Sequence, residues 1–169
     1  NGTSSTSATT YNLAVADDWN TVIGNANISD ATGNGITVSN VAAPAITSAT
    51  YDANTGALVV MGAGFLSLSG AANDIDVSKF TFTGEGGMTY TLTDSADVEI
   101  ISGTAFTIIL SSTDKTAVNL LLNKAGTAST DATIYNLAAA EDWASGADVA
   151  TIVTDTVANS ITVSVPPTS

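Results

Sequence analysis

The segment Asn1 to Trp19 (NGTSSTSATTYNLAVADDW) returns as Ala125 to Trp143 (AGTASTDATIYNLAAAEDW), and this duplication constrains the fold more than any single motif. At an offset of 124 the copies are identical at Gly2, Thr3, Ser5, Thr6, Ala8, Thr9, Tyr11, Asn12, Leu13, Ala14, Ala16, Asp18 and Trp19, which is 13 of 19 positions. After a one-residue slip the match resumes, SDATGNGITVSN from Ser29 answering TDTVANSITVSV from Thr154, so that Asp30 pairs with Asp155 and Ile36 with Ile161. A fixed internal period is the signature of a modular array.

The arithmetic of the repeat sets the expected organisation. Residues 1–41 read as the C-terminal third of a preceding repeat, an assembly or donor segment; residues 42–165 as one complete module; residues 166–169 as a linker to the next. Proline marks both joints, at Ala42, Ala43, Pro44 and again at Val165, Pro166, Pro167, where it stiffens an extended connection.

Composition narrows the class. Ala, Val, Ile and Leu dominate the 44% hydrophobic content among many Thr, Ser and Gly, with aromatics at 6%, a β-rich and turn-rich mixture. Sixteen acidic residues face three basic ones, Lys79, Lys115 and Lys124, and the net charge of -13 repels nucleic acid and anionic membrane surfaces. Calcium is the natural screening ion for such a chain outside a cell. There is no cysteine, hence no disulfide and no thiolate metal site. No apolar run is long enough to span a membrane, and no signal peptide opens the chain. An exported protein would then start here as a mature or excised piece. Asn1 aligns with Ala125, just behind Lys124, as a trypsin-like nick, a processing site or an artificial boundary would leave it.

Along the chain, the Ser/Thr-rich start predicts loop or extended edge, and Tyr11 to Trp19 predicts a short helix with Asn12 as N-cap. Ile36–Val41 alternates as a strand. In the full module, Ile46–Tyr51 and Ala57–Gly62 predict a hairpin about the DANTG turn. Phe80–Thr83, Met88–Thr93, Val98–Ile101, Phe106–Leu110 and Ile161–Val165 supply further strands. Ser112 or Thr113 should cap a helix running from Asp114 to Lys124. Six or seven short strands with turn signals between them predict a mainly β chain, an antiparallel β-sandwich with one or two short helices.

The opening AITSATYDANTGALVVMGAGF, together with DIDVSKFTFTGEGGMTYTL and YNLAAAEDW, resembles bacterial immunoglobulin-like modules that occur in tandem in giant secreted adhesins and surface-layer-type proteins. The likeness spans residues 42–165 and implies an immunoglobulin-like sandwich, an extracellular or cell-surface location and a structural role. It brings no catalytic residues.

Chemistry is poorly supplied. Without His or Cys, a Ser or Thr nucleophile would need Lys as its base, and the one Ser-Lys neighbour pair, Ser78-Lys79, alternates across a strand. An enzyme is not expected. Calcium is the one candidate cofactor: Asp17, Asp18 and Asp30 correspond to Glu141, Asp142 and Asp155, and Asp74 with Asp76 forms another acidic pair. None of these matches a DxDxDG loop, so acidic loop surface is the plainer reading. Trp19 and Trp143, each behind an acidic pair, suit a core plug whose N–H finds a carbonyl better than a sugar platform.

A sandwich built from residues 42–124 lacks its last strand, for which the chain carries two candidates. If the C-terminal copy closes it, Tyr11, Leu13, Trp19, Ile36 and Val38 are left exposed to make an inter-module contact, by strand addition to a neighbour. The expected function is therefore an extracellular structural module that builds a fibre, filament or adhesin stalk head to tail, its partners being itself or neighbouring repeats. The alternative is a calcium-dependent carbohydrate-binding or recognition module.

Overall fold

Alternation in sequence becomes alternation of burial. In β2 (Ala57–Ala63), Leu58 and Val60 are buried while Val59 and Met61 face outward, and in β3 (Phe80–Thr83) the two phenylalanines of FTFT point inward. This is seen in a computed structural model that describes residues 2–5, 8–17, 19–20, 29–39, 43–147 and 153–167. Asp18, Val41 and the Val41/Ala42 boundary of the sequence reading lie outside the described residues. The chain divides into two units, Asn1–Ala42 and Ala43–Ser169.

The second unit is mainly β. Besides β2 and β3 it contains β1 (Ala45–Asp52), β4 (Thr89–Thr91), β5 (Ile100–Ser102), β6 (Ala105–Ile109), β7 (Asn136–Ala139) and β8 (Ser160–Val165), with, among the described residues, the α-helix α1 (Ser112–Leu121). The strands form one eight-stranded sheet in the order β4-β3-β7-β8-β1-β2-β6-β5. The β1–β2 turn forms as its residues require: Asp52 Oδ1 accepts from Asn54 N at 2.9 Å and Thr55 N at 3.2 Å, and Gly56 takes φ 77°.

The sheet turns back on itself. β3 and β6 are five strands apart in the order, roughly 24 Å along a flat sheet. Yet the Phe80 and Phe106 rings lie 6.0 Å apart, centroid to centroid. Trp143 sits among them, 5.8 Å from Phe80, 5.8 Å from Phe65 and 6.1 Å from Phe106. The core is thus an aromatic cluster closed by the segment that follows β7.

Three expectations are corrected. The YNLA segment is extended, not helical: Asn136–Ala139 is β7, paired with β3, and in the first unit Asn12 and Val15 form bridges. Leu and Ala are good helix formers, but local propensity is overridden by tertiary context, and here lateral pairing with β3 outweighs it. The sheet is also not wholly antiparallel, because β1 runs parallel to β8, with Ala49 opposite Ile161. The first and last strands of the module meet there, with the rest of the unit as their crossover. Finally, α1 starts earlier than Asp114 and stops short of Lys124: Ser111 Oγ caps it by accepting from Asp114 N at 3.1 Å.

α1 is ten residues long, and among the described residues no helix is long and apolar enough to cross a membrane. The helix buries Val118, Leu121 and also Asp114, packing against β3 and β4.

Candidate functional site

The duplicated segments fold alike. In the second unit, bridges join Gly126 to Val163, Ala128 to Ile134 and Ala139 to Asp155, and Asn136 pairs with Ser160. In the first unit the equivalent residues make the equivalent bridges: Gly2 to Val38, Ser4 to Thr10, Val15 to Asp30 and Asn12 to Gly35. Each copy is a hairpin of the same register.

Side chains reproduce the wiring. Asn136 Oδ1 accepts from Asn159 N at 3.1 Å, as Asn12 Oδ1 accepts from Asn34 N at 2.9 Å. Asn159 Nδ2 donates to Leu137 O and Asp155 O, and Asn34 Nδ2 to Leu13 O and Asp30 O. Asn136 Nδ2 reaches Thr156 O at 3.0 Å, and Asn12 Nδ2 reaches Ala31 O at 2.8 Å. Even the strained turn recurs, with Ala132 at φ 72° and Ala8 at φ 61°. All of these bonds lie within the hairpin, so its conformation is set locally.

What differs is the environment. Leu137, Trp143 and Ile161 are each 0% exposed, whereas their equivalents Leu13, Trp19 and Ile36 are 57%, 55% and 38% exposed. Tyr135 and Val163 are buried, whereas Tyr11 and Val38 are half-buried. Of the five residues expected to make an inter-module contact, Tyr11, Leu13, Ile36 and Val38 lie on the bridged segments of the hairpin, and Trp19 lies in a bend beyond them. In the second unit the equivalent residues belong to one buried core together with Phe65, Phe80 and Phe106. Asp155 fastens the hairpin there, Oδ2 accepting from Ile46 N of β1 at 2.6 Å and Oδ1 from Asn159 Nδ2 at 2.7 Å.

The acidic residues serve mainly as acceptors of protein hydrogen bonds. Buried Asp74 accepts from Leu68 N at 2.5 Å and Ile100 N at 2.8 Å. Asp76, two residues on, caps the 3-10 turn Val77–Lys79 through Ser78 N at 3.0 Å and Ser78 Oγ at 2.6 Å. Asp17 and Asp30 are exposed, Glu141 is half-buried and Asp142 is exposed with φ 66°. Among the described residues no group of three acidic side chains converges as a hard cation needs. Trp143 plugs the core, but its Nε1 finds no acceptor among the described residues, contrary to the expected N–H···carbonyl bond.

Sequence reasoning missed Asp114. Expected only as the first-turn acid of a helix, it is buried and accepts from Tyr90 OH (2.8 Å), Thr93 N (3.1 Å), Asp94 N (3.0 Å), Ser95 N (2.7 Å) and Ser95 Oγ (2.6 Å). Burial alone would raise its carboxyl, but the hydrogen bonds from Ser95, Tyr90, Thr93 and Asp94 outweigh it and hold it at about 2. It also missed the asparagines, although Asn34 and Asn159 stand at matching places of NGI and NSI, a signal present in the alignment of the two copies.

Against protein-family models, curated proteins and solved structures, the chain finds no match.

Proposed function

We propose that this chain is an extracellular structural module of a head-to-tail array, a fibre or adhesin stalk, in which successive copies meet through the duplicated hairpin. The carrying observation is that one hairpin is built twice with the same wiring, once buried in a module and once with its apolar face exposed. An array uses the same piece in every unit, and a lone catalytic domain has no use for a second copy.

Several observations support an immunoglobulin-like sandwich as the architecture of each module. Lettering β1 to β8 as A, B, C, C′, D, E, F and G turns the observed order into C′-C-F-G beside A-B-E-D, the two sheets of that fold joined through A and G. The 6.0 Å approach of Phe80 and Phe106 fits two layers facing each other. Tyr135, one residue before β7, donates from its hydroxyl to Lys124 O at 3.1 Å and accepts from Lys124 N at 3.1 Å. A tyrosine at the entrance of strand F that bonds back to upstream backbone is a feature of such sandwiches. The surface charge of -13 suits a stalk that must stay soluble and resist lateral association.

Arrays of two, four and six copies of residues 42–165, measured by small-angle X-ray scattering, test the reading. A maximum dimension that grows by a constant increment per copy is expected. Growth as the cube root of mass, which marks a collapsed globule, would refute a stalk.

A further inference from the structure

The exposed face of the first hairpin has an identifiable partner, because its twin shows what covers it. In the second unit the hairpin edges are taken by β3 on one side and β1 on the other, with Phe80 opposite Ala139 and Ala49 opposite Ile161. Its inner face meets Phe65, Phe80 and Phe106 through Trp143. A backbone amide of that lobe, Ile46 N, is held by Asp155. The first hairpin presents Tyr11, Leu13, Trp19, Ile36, Val38 and Asp30 at the same register positions. We propose that the described residues of the first hairpin, 2–5, 8–17, 19–20 and 29–39, are a preformed docking element for a second copy of the β1–β6 lobe, of the kind formed by residues 43–124.

This rests on the array reading and refines it: the hairpin closes the module of the lobe it joins instead of bridging two finished modules. The stoichiometry decides against a second complete chain as partner. Each chain carries two hairpins and one lobe, so exchanging hairpins between complete chains uncovers one whenever it covers another, and no apolar surface is buried in net terms. A lobe with its β7–β8 place vacant is the partner that gains. Because the hairpin's polar bonds are internal, docking needs no rearrangement of them, and preorganisation lowers the ordering cost.

The test fuses residues 43–124 ahead of the full chain, so that Lys124 of the added lobe is followed by Asn1 as Lys124 is followed by Ala125. With Trp143→Phe in both the fused and the unfused chain, Trp19 is the sole tryptophan. Its emission is expected to shift to shorter wavelength on fusion, and its acrylamide quenching to fall to the level of Trp143 in a Trp19→Phe chain. In parallel, hydrogen exchange on the fused chain with both tryptophans intact should slow at Leu13 and Val15 to the rates of Leu137 and Ala139, which keeps the test valid if Trp143→Phe unfolds the second unit. Trp19 staying as quenchable in the fused chain as in the unfused one overturns the proposal. So does burial of Trp19 on merely concentrating the unfused chain, which would make a complete second copy the partner. Neither readout depends on whether arrays form rods, so a failed stalk and a failed docking are told apart.

Discussion

Asn159 pins Leu137 across the hairpin, its Nδ2 donating to the Leu137 carbonyl at 3.0 Å, and Asn34 pins Leu13 at the same 3.0 Å. The same amide of Asn159 also holds Asp155, through the backbone O at 3.1 Å and the carboxylate at 2.7 Å. Asn159→Ala removes the side-chain donor to the Leu137 carbonyl and to Asp155 Oδ1 and should cost the second unit about 2 kcal/mol in urea unfolding. Asn34→Ala should leave that transition unmoved, since its bonds are confined to the first hairpin. Equal effects of the two substitutions would contradict the local wiring.

Asp114 should contribute to the acid limb of stability. Its folded carboxyl is lowered from 3.8 to about 2, so its contribution is complete above the unfolded value and is lost as pH falls from about 3.8 through about 2. Asp114→Asn should remove this pH dependence. At neutral pH it should also cost about 3 kcal/mol, because a carboxamide cannot accept from every donor on Tyr90, Thr93, Asp94 and Ser95. Denaturant titrations between pH 2 and pH 7 read both effects; an unchanged acid limb in the variant would show that other carboxylates set it.

Period-two alternation made β1, β2, β3, β6 and β8 legible, because each buries one face only. β7 was illegible for a physical reason: the local propensity of NLAA favours a helix, and what imposes the strand is β3 beside it, supplied by residues over fifty positions upstream. The parallel meeting of β1 with β8 has no local signal either, as it depends on chain closure. The exposure of Leu13, Trp19 and Ile36 could be expected from the duplication alone, since two copies of a segment compete for one place. Asp114 could not, as its donors at residues 90–95 come from a loop whose position the sequence leaves open.

Asp74 tests whether calcium is integral to the module. Its carboxylate accepts two backbone N–H groups, from Leu68 and Ile100, and so acts as a structural acceptor. Asp74→Ala should destabilise by about 3 kcal/mol through those two orphaned donors. The loss should be the same in EDTA and in millimolar calcium. A loss that appears only with calcium present would instead make Asp74 a ligand.

Trp143 should be the most costly single truncation. It fills the space between Phe65, Phe80 and Phe106, all within 6.1 Å of its ring, and it is fully buried. Trp143→Ala leaves a cavity within the aromatic cluster and should cost about 4 kcal/mol. Trp143→Phe keeps most of the volume and loses no hydrogen bond, because Nε1 has no acceptor among the described residues, so about half that cost is expected. Trp19→Ala, at the matching place of the exposed copy, should leave the unfolding of the second unit unchanged. Guanidinium unfolding followed by far-UV circular dichroism ranks the three. Should Trp143→Phe cost as much as Trp143→Ala, the indole N–H must be bonded and the packing account of this core would have to give way to a polar one.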